Sequence, residues 1–163
     1  MTDLFQPESF TWADAGMRLI AATILPFAIG LERYLHDMPI DFRPFIIISI
    51  APCGLIIGSI ELLGTYNEPN VRIDPTRVIA GVITGIGFIG AGAMFRNGPF
   101  VQGAGSAVAI WGAGAIGLLC GMGEVWLAAI VAGTVVLLLI ASRPFTEKWD
   151  PDHEGDGASK AEG

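Results

Sequence analysis

The chain has 163 residues, the length of a single domain, but its composition excludes an ordinary soluble one. Apolar residues make up 52% of it and charged residues only 15%, with a mean hydropathy of +0.59, whereas a globular domain carries roughly 25% charged residues. The net charge of −7 sits largely at the carboxy-terminal end and no basic stripe exists, which excludes a nucleic-acid partner.

Residues 1–14 form an acidic segment with Asp3, Glu8 and Asp14 and no Lys or Arg, so they lack the basic region that opens a signal peptide. Five apolar stretches follow: 15–31, 45–63, 78–95, 104–120 and 125–141. They hold only two of the 25 charged residues, Arg18 and Glu61. Crossing the hydrocarbon core takes about 17 to 25 such residues. The pattern therefore predicts an all-α polytopic membrane protein, a compact bundle of five Gly-rich transmembrane helices over 15–141, with the lipid bilayer as its first partner. It leaves no room for a soluble enzyme, and 142–163 reads as an acidic, disordered tail.

Pro26 and Pro52 fall inside the first two stretches, where a bundle tolerates them. Cys53 and Cys120 lie within apolar runs and read as small buried hydrophobes. Orientation follows Lys and Arg. With the amino terminus outside, the inner segments carry Arg33, Arg43, Arg96, Arg143, Lys148 and Lys160, and the outer ones only Arg72 and Arg77.

Glycine is the densest signal, with 13 between Gly81 and Gly123. Gly81, Gly85 and Gly92 share one face of the third helix, beside Gly87 and Gly90, and Gly114, Gly117 and Gly121 stripe the fourth. Small-residue stripes let helix backbones approach in lipid, within one subunit or between copies in a homo-oligomer. Gly85, Gly87 and Gly90 match a dinucleotide fingerprint. That reading fails because the string lies inside an apolar run with no strand before it and no phosphate-facing loop.

Charged residues gather at helix ends. Glu32, Arg33, Arg43 and Arg96 fall on one face of the membrane and form a candidate polar cluster, in which Glu32 pairs with Arg43 or Arg96. Asp74 and Arg77 fall on the other face as a second pair, with Glu61 near enough to meet Arg72 or Arg77. Asp74 also has the makings of an N-cap, followed by Pro75. Ser106 reads as a helix–helix hydrogen bond rather than a nucleophile. No metal-ligand spacing, cofactor motif or catalytic set is evident.

The strings Gly30-Leu31-Glu32-Arg33 and Gly85-Ile86-Gly87-Phe88-Ile89-Gly90-Ala91-Gly92, with Arg43, Arg77, Trp111 and Gly117 to Gly123, resemble the MgtC/SapB family of bacterial membrane proteins over about residues 15–141. The resemblance implies a multi-pass protein of the bacterial inner membrane linked to growth in low magnesium and to survival in host cells. It further implies regulation of other membrane proteins, such as the ATP synthase, or else transport of Mg²⁺ or another cation. The chain departs from the family pattern at Phe42-Arg43-Pro44 and at Gly105, where the family carries a polar residue, and only the acidic tail follows the fifth stretch. A cation path needs acids or unwound carbonyls near the midplane. Glu61, the one acid in the apolar runs, lies near an end, which favours the regulator.

Overall fold

In the computed structural model, the described residues are 7, 9–35, 41–65, 74–97 and 100–146. Five helices, α1 (Trp12–Tyr34), α2 (Arg43–Thr65), α3 (Pro75–Gly92), α4 (Ala104–Met122) and α5 (Val125–Thr146), are each long and apolar enough to cross a membrane. They overlap the five apolar stretches and extend most of them by a few residues, but α3 is shifted against 78–95, starting at Pro75 and ending at Gly92, with Phe95 in a strand. The expected tail at 142–163 lies mostly outside the described residues.

Local chemistry sets the helix limits. Thr11 and Asp14 form a capping box at the start of α1: the Asp14 N–H donates to Thr11 Oγ1 at 3.1 Å, and the Thr11 N–H donates to Asp14 Oδ2 at 3.3 Å. Asp74 caps α3, with Pro75 at the first helical position. The last turn of α4 closes at Gly123, in the left-handed region at φ 90°. There the Gly123 N–H bonds Cys120 O at 3.0 Å and the Glu124 N–H bonds Leu119 O at 2.9 Å, a Schellman pattern. Pro26 and Pro52 lie inside continuous helices and are both buried. Each removes one backbone donor, that of the bond to the carbonyl four residues earlier.

The link between α3 and α4 holds a two-stranded antiparallel hairpin, β1 (Phe95–Asn97) with β2 (Phe100–Gln102), in the register Phe95↔Gln102, Arg96↔Val101 and Asn97↔Phe100. Turn-forming Gly98 and Pro99 between two short runs containing Phe and Val were the available signal. The chain re-enters α4 through Gly103 at φ 84°, where a Cβ would strike the Ala93 carbonyl.

Helix α4 is the centre of the bundle. Twelve of its 19 residues are buried, against five of 23 in α1 and two of 18 in α3. Its glycines explain why it fits there. A Cβ at Gly117 would collide with the Ser49 carbonyl oxygen and lie 2.7 Å from its carbon; one at Gly121 would lie 2.8 Å from the Cys53 carbonyl oxygen and from Ile56 Cβ. Residues 49 and 53 on α2 thus face 117 and 121 on the parallel α4, one turn apart on each helix, backbone against backbone. Contacts this close gain dispersion and Cα–H···O attraction, which drive helix association where no hydrophobic effect acts. A Cβ at Gly114 would collide with the Ile86 side chain from α3.

The two glycine stripes therefore differ. Around α3, only Gly90 meets a neighbour, with a Cβ position 3.3 Å from the Ala107 carbonyl oxygen; Gly81, Gly85, Gly87 and Gly92 have nothing within 4 Å. Gly85 thus has no contact inside the subunit of the kind that Gly117 makes. On a helix Gly90 is about 180° from Gly81, so the face seated on α4 leaves the Gly81–Gly85–Gly92 face turned outward.

Three substitutions follow. Gly117→Ala should lower stability in detergent by about 1 to 3 kcal/mol or more, because the clash is with backbone. Gly85→Ala should not destabilise, since it meets open space and raises helix propensity by up to about 1 kcal/mol. Ser49→Ala should be neutral or mildly stabilising, because the buried Ser49 hydroxyl has no hydrogen-bond partner. Thermal unfolding of the three variants checks the ranking.

Candidate functional site

The ends of the helices carry the polar groups. At one end lie the last turns of α1 and α3 and the first turns of α2 and α4. Glu32 is 9% exposed there, on the buried side of α1. Arg33, its sequence neighbour, points elsewhere: its Nη2 donates to Ser106 Oγ at 3.0 Å, joining α1 to the first turn of α4. The helix–helix role expected for Ser106 is what the geometry has. Arg33 Nε is buried without an acceptor.

Arg43 departs from expectation. Its Nε pairs with Asp41 Oδ2 at 2.9 Å, with the two side chains 76% and 42% exposed. An exposed pair of this kind is worth roughly 0 to 1 kcal/mol. Arg43 therefore lies at the rim, held by a near neighbour that costs little chain entropy to reach. Arg96 is placed on β1 at this same end, but its side chain lies outside the described residues. The structure brings Glu32, Arg33 and Ser106 to one corner of α1 and α4, and leaves Arg43 beside it.

Two residues that motif reasoning gave no site role shape this corner. A Cβ at Gly105 would lie 3.1 Å from Arg33 Nη2, so the bare glycine makes room for the guanidinium. A cation beside a helix N-terminus is electrostatically unfavourable, and Gly103 offers no side-chain cap; the hydroxyl of Ser106 supplies a compensating acceptor. Phe42 closes the corner from the α2 side. Its ring meets Phe27 edge-on at 5.6 Å and Tyr34 at 6.3 Å, and a Cβ at Gly30 would fall 2.9 Å from its Cα.

At the opposite end Asp74 takes a local partner. Asp74 does not pair with the Arg77 guanidinium; Asp74 Oδ1 accepts from the Thr76 N–H at 2.9 Å and from its hydroxyl at 2.6 Å. The Thr76 hydrogen bonds, first that of its side chain, hold the Asp74 carboxyl below its ordinary value, and the charge of Arg77 lowers it least. Glu61 Oε2 accepts the Ser9 N–H at 3.1 Å, and Arg72 lies outside the described residues. Arg18 does not simply extend to the surface. Its Nη1 donates to Gly121 O at 2.8 Å, at the carbonyl end of α4 where a cation is favoured. Its lone position in an apolar run was the available signal. Among the described residues no group of three or more His, Cys, Asp and Glu comes together as a metal site.

Two measurements test this geometry. Ser106→Ala should cost about 1.5 to 3 kcal/mol, as for a hydrogen bond to a charged group, and Gly105→Leu should cause a comparable loss by displacing Arg33; chemical denaturation in detergent reads both. The depressed Asp74 value means its capping contribution is complete above the ordinary value of 3.8 and is lost as pH falls through the lower, folded-state value. Amide protection in the first turn of α3, the exchange rate taken relative to its intrinsic rate at each pH, should therefore hold steady from neutral pH down to about 4 and fall only below it.

The MgtC family's sequence profile matches residues 19–148. Protein SapB of Bacillus subtilis is 37% identical over 114 residues, 68% of this chain and 48% of that protein. Putative magnesium transporter YhiD of Escherichia coli is 33% identical over 125 residues, 76% of this chain and 57% of that one. Protein MgtC of Brucella abortus is 30% identical over 129 residues, 79% of this chain and 51% of its own. The chain spans about half to three fifths of the length of the curated relatives it matches. No solved structure matches it. With a family match over most of its length and five membrane-length helices, the chain belongs to the MgtC family.

Proposed function

We propose that this protein is a multi-pass subunit of the bacterial inner membrane, amino terminus outside, that regulates other membrane proteins by binding them through α3. One observation carries the reading: Gly81, Gly85 and Gly92 present a glycine face with nothing within 4 Å, while the α4 stripe is filled by the subunit's own core. A glycine face in lipid lets another helix approach closely, here packing around the ring of Phe88, which lies seven residues from Gly81 on that same face. Phe88 and Ile89, 83% and 52% exposed, add apolar area on the same helix. The family resemblance points to energy-converting complexes such as the ATP synthase as candidates, under magnesium limitation or stress.

The rival reading, a transporter for Mg²⁺ or another cation, draws on the name of the Escherichia coli relative. The geometry supports it less. Glu32 and Glu61, the acids deepest in the helices, lie at opposite ends of the bundle.

Purification from native membranes in mild detergent separates the two. The wild-type protein should bring other membrane proteins with it, and Gly85→Leu should lose them while the bundle stays folded. Equal recovery with both proteins would count against the α3 face. Mg²⁺ uptake into liposomes by the purified protein alone would favour the transporter.

A further inference from the structure

Three elements converge on the short segment that precedes α1. The Ser9 N–H donates to Glu61 Oε2, near the end of α2. The Ser9 side chain lies over Gly64, where a Cβ would collide with its hydroxyl and stand 3.7 Å from its Cβ. The Phe10 ring lies under the Arg18 guanidinium, 4.8 Å from Cζ to the ring centroid, a cation–π contact. The same guanidinium donates to Gly121 O and covers Gly123, where a Cβ would stand 3.1 Å from Nη2. Ser9 is thus tied to α2, and Phe10, through Arg18, to the end of α4.

Close to these contacts is the α2–α4 seam. It holds Cys53 and Cys120, both fully buried and unbridged. Cys120 directly precedes the Gly121 that Arg18 grips, and Gly121 itself packs against the Cys53 carbonyl. The segment is also built to leave without damage. The capping box of Thr11 and Asp14 secures the start of α1 by itself. Among the described residues, what holds Ser9 and Phe10 is one exposed hydrogen bond, the seat of Ser9 on Gly64 and one ring contact, the kind of sparse anchoring that opens at low free energy.

We propose that Ser9 and Phe10 form a latch over this end of the α2–α4 seam, fastened by Glu61 and Arg18, and that its release opens the seam to the aqueous phase and exposes its thiols. The latch makes the accessibility of the seam a property that a contact at the amino-terminal face can set. Whatever draws Phe10 off Arg18 loosens the cover at the carbonyl end of α4 while α1 stays intact.

The full chain carrying Ser9→Cys and Gly64→Cys tests this in native membranes. A Cβ–Cβ separation of 3.7 Å falls in the disulfide range of about 3.5 to 4.5 Å. Oxidation by copper(II) phenanthroline joins the two engineered sulfurs; their two protons go to buffer and their two electrons to two Cu(II) ions. The readout is the rate at which N-ethylmaleimide labels Cys53 and Cys120, resolved by peptide mass spectrometry. The locked form should label several-fold more slowly than the reduced form of the same variant. Phe10→Ala should label about three- to fivefold faster than wild type, as expected for loss of one exposed cation–π contact. Failure of 9 and 64 to cross-link, or equal labelling in the locked and reduced forms, overturns the latch. The locked-to-reduced comparison carries the test even if Phe10→Ala fails to fold.

Discussion

The close approach of α2 and α4 is the constraint on which the rest of the bundle depends. In lipid an apolar side chain gains little by leaving the solvent, so helices associate through packing and short polar contacts. Gly117 and Gly121 remove the side chains that would hold α4 away from the Ser49 and Cys53 carbonyls. Pro52 lies between those two carbonyls, at a point where α2 already lacks a backbone donor. The interface is backbone on backbone, and a single methyl group at Gly117 cannot be accommodated by a rotamer change.

Once α4 is enclosed, its ends become the natural sites for polar interactions. Its amino-terminal end meets Arg33 through Ser106, and its carboxy-terminal end meets Arg18 through Gly121. Both arginines come from α1, 15 residues apart and about 22 Å along a helix, close to the span of the 19-residue α4 less its terminal turns. Helix α1 thus clasps α4 at both ends. Helix α3 does not clasp it: it touches α4 through Ile86 and Gly90 and leaves its other side bare. The same family of small residues serves the fold on α4 and is left available on α3.

Five helices were legible because hydrophobic length and segregated charge depend on the bilayer alone. The caps at Asp74 and Gly123 were legible for a similar reason, being chemistry within one turn. The role of each glycine stripe was not. Gly81-x-x-x-Gly85 and Gly117-x-x-x-Gly121 have the same spacing, and only the packing order of the helices decides which is enclosed. The charge partners were hidden in the same way. Arg43 and Asp74 found partners two residues away, because a short-range bond costs less ordering entropy than a bridge between helices. Arg33 reaches Ser106 past Gly105, where a Cβ would crowd its guanidinium. The α3–α4 hairpin went unread because three-residue strands carry too little periodicity to separate from a loop.

The account's central claim is that α3's outward glycine face meets another polypeptide in the membrane. Photo-cross-linking from a benzophenone amino acid at position 85, in cells, tests it most directly. The account predicts an adduct between this chain and a second protein, lost when the photoreactive group is moved to Leu137 on α5. Adducts confined to lipid or to the chain's own helices would contradict it.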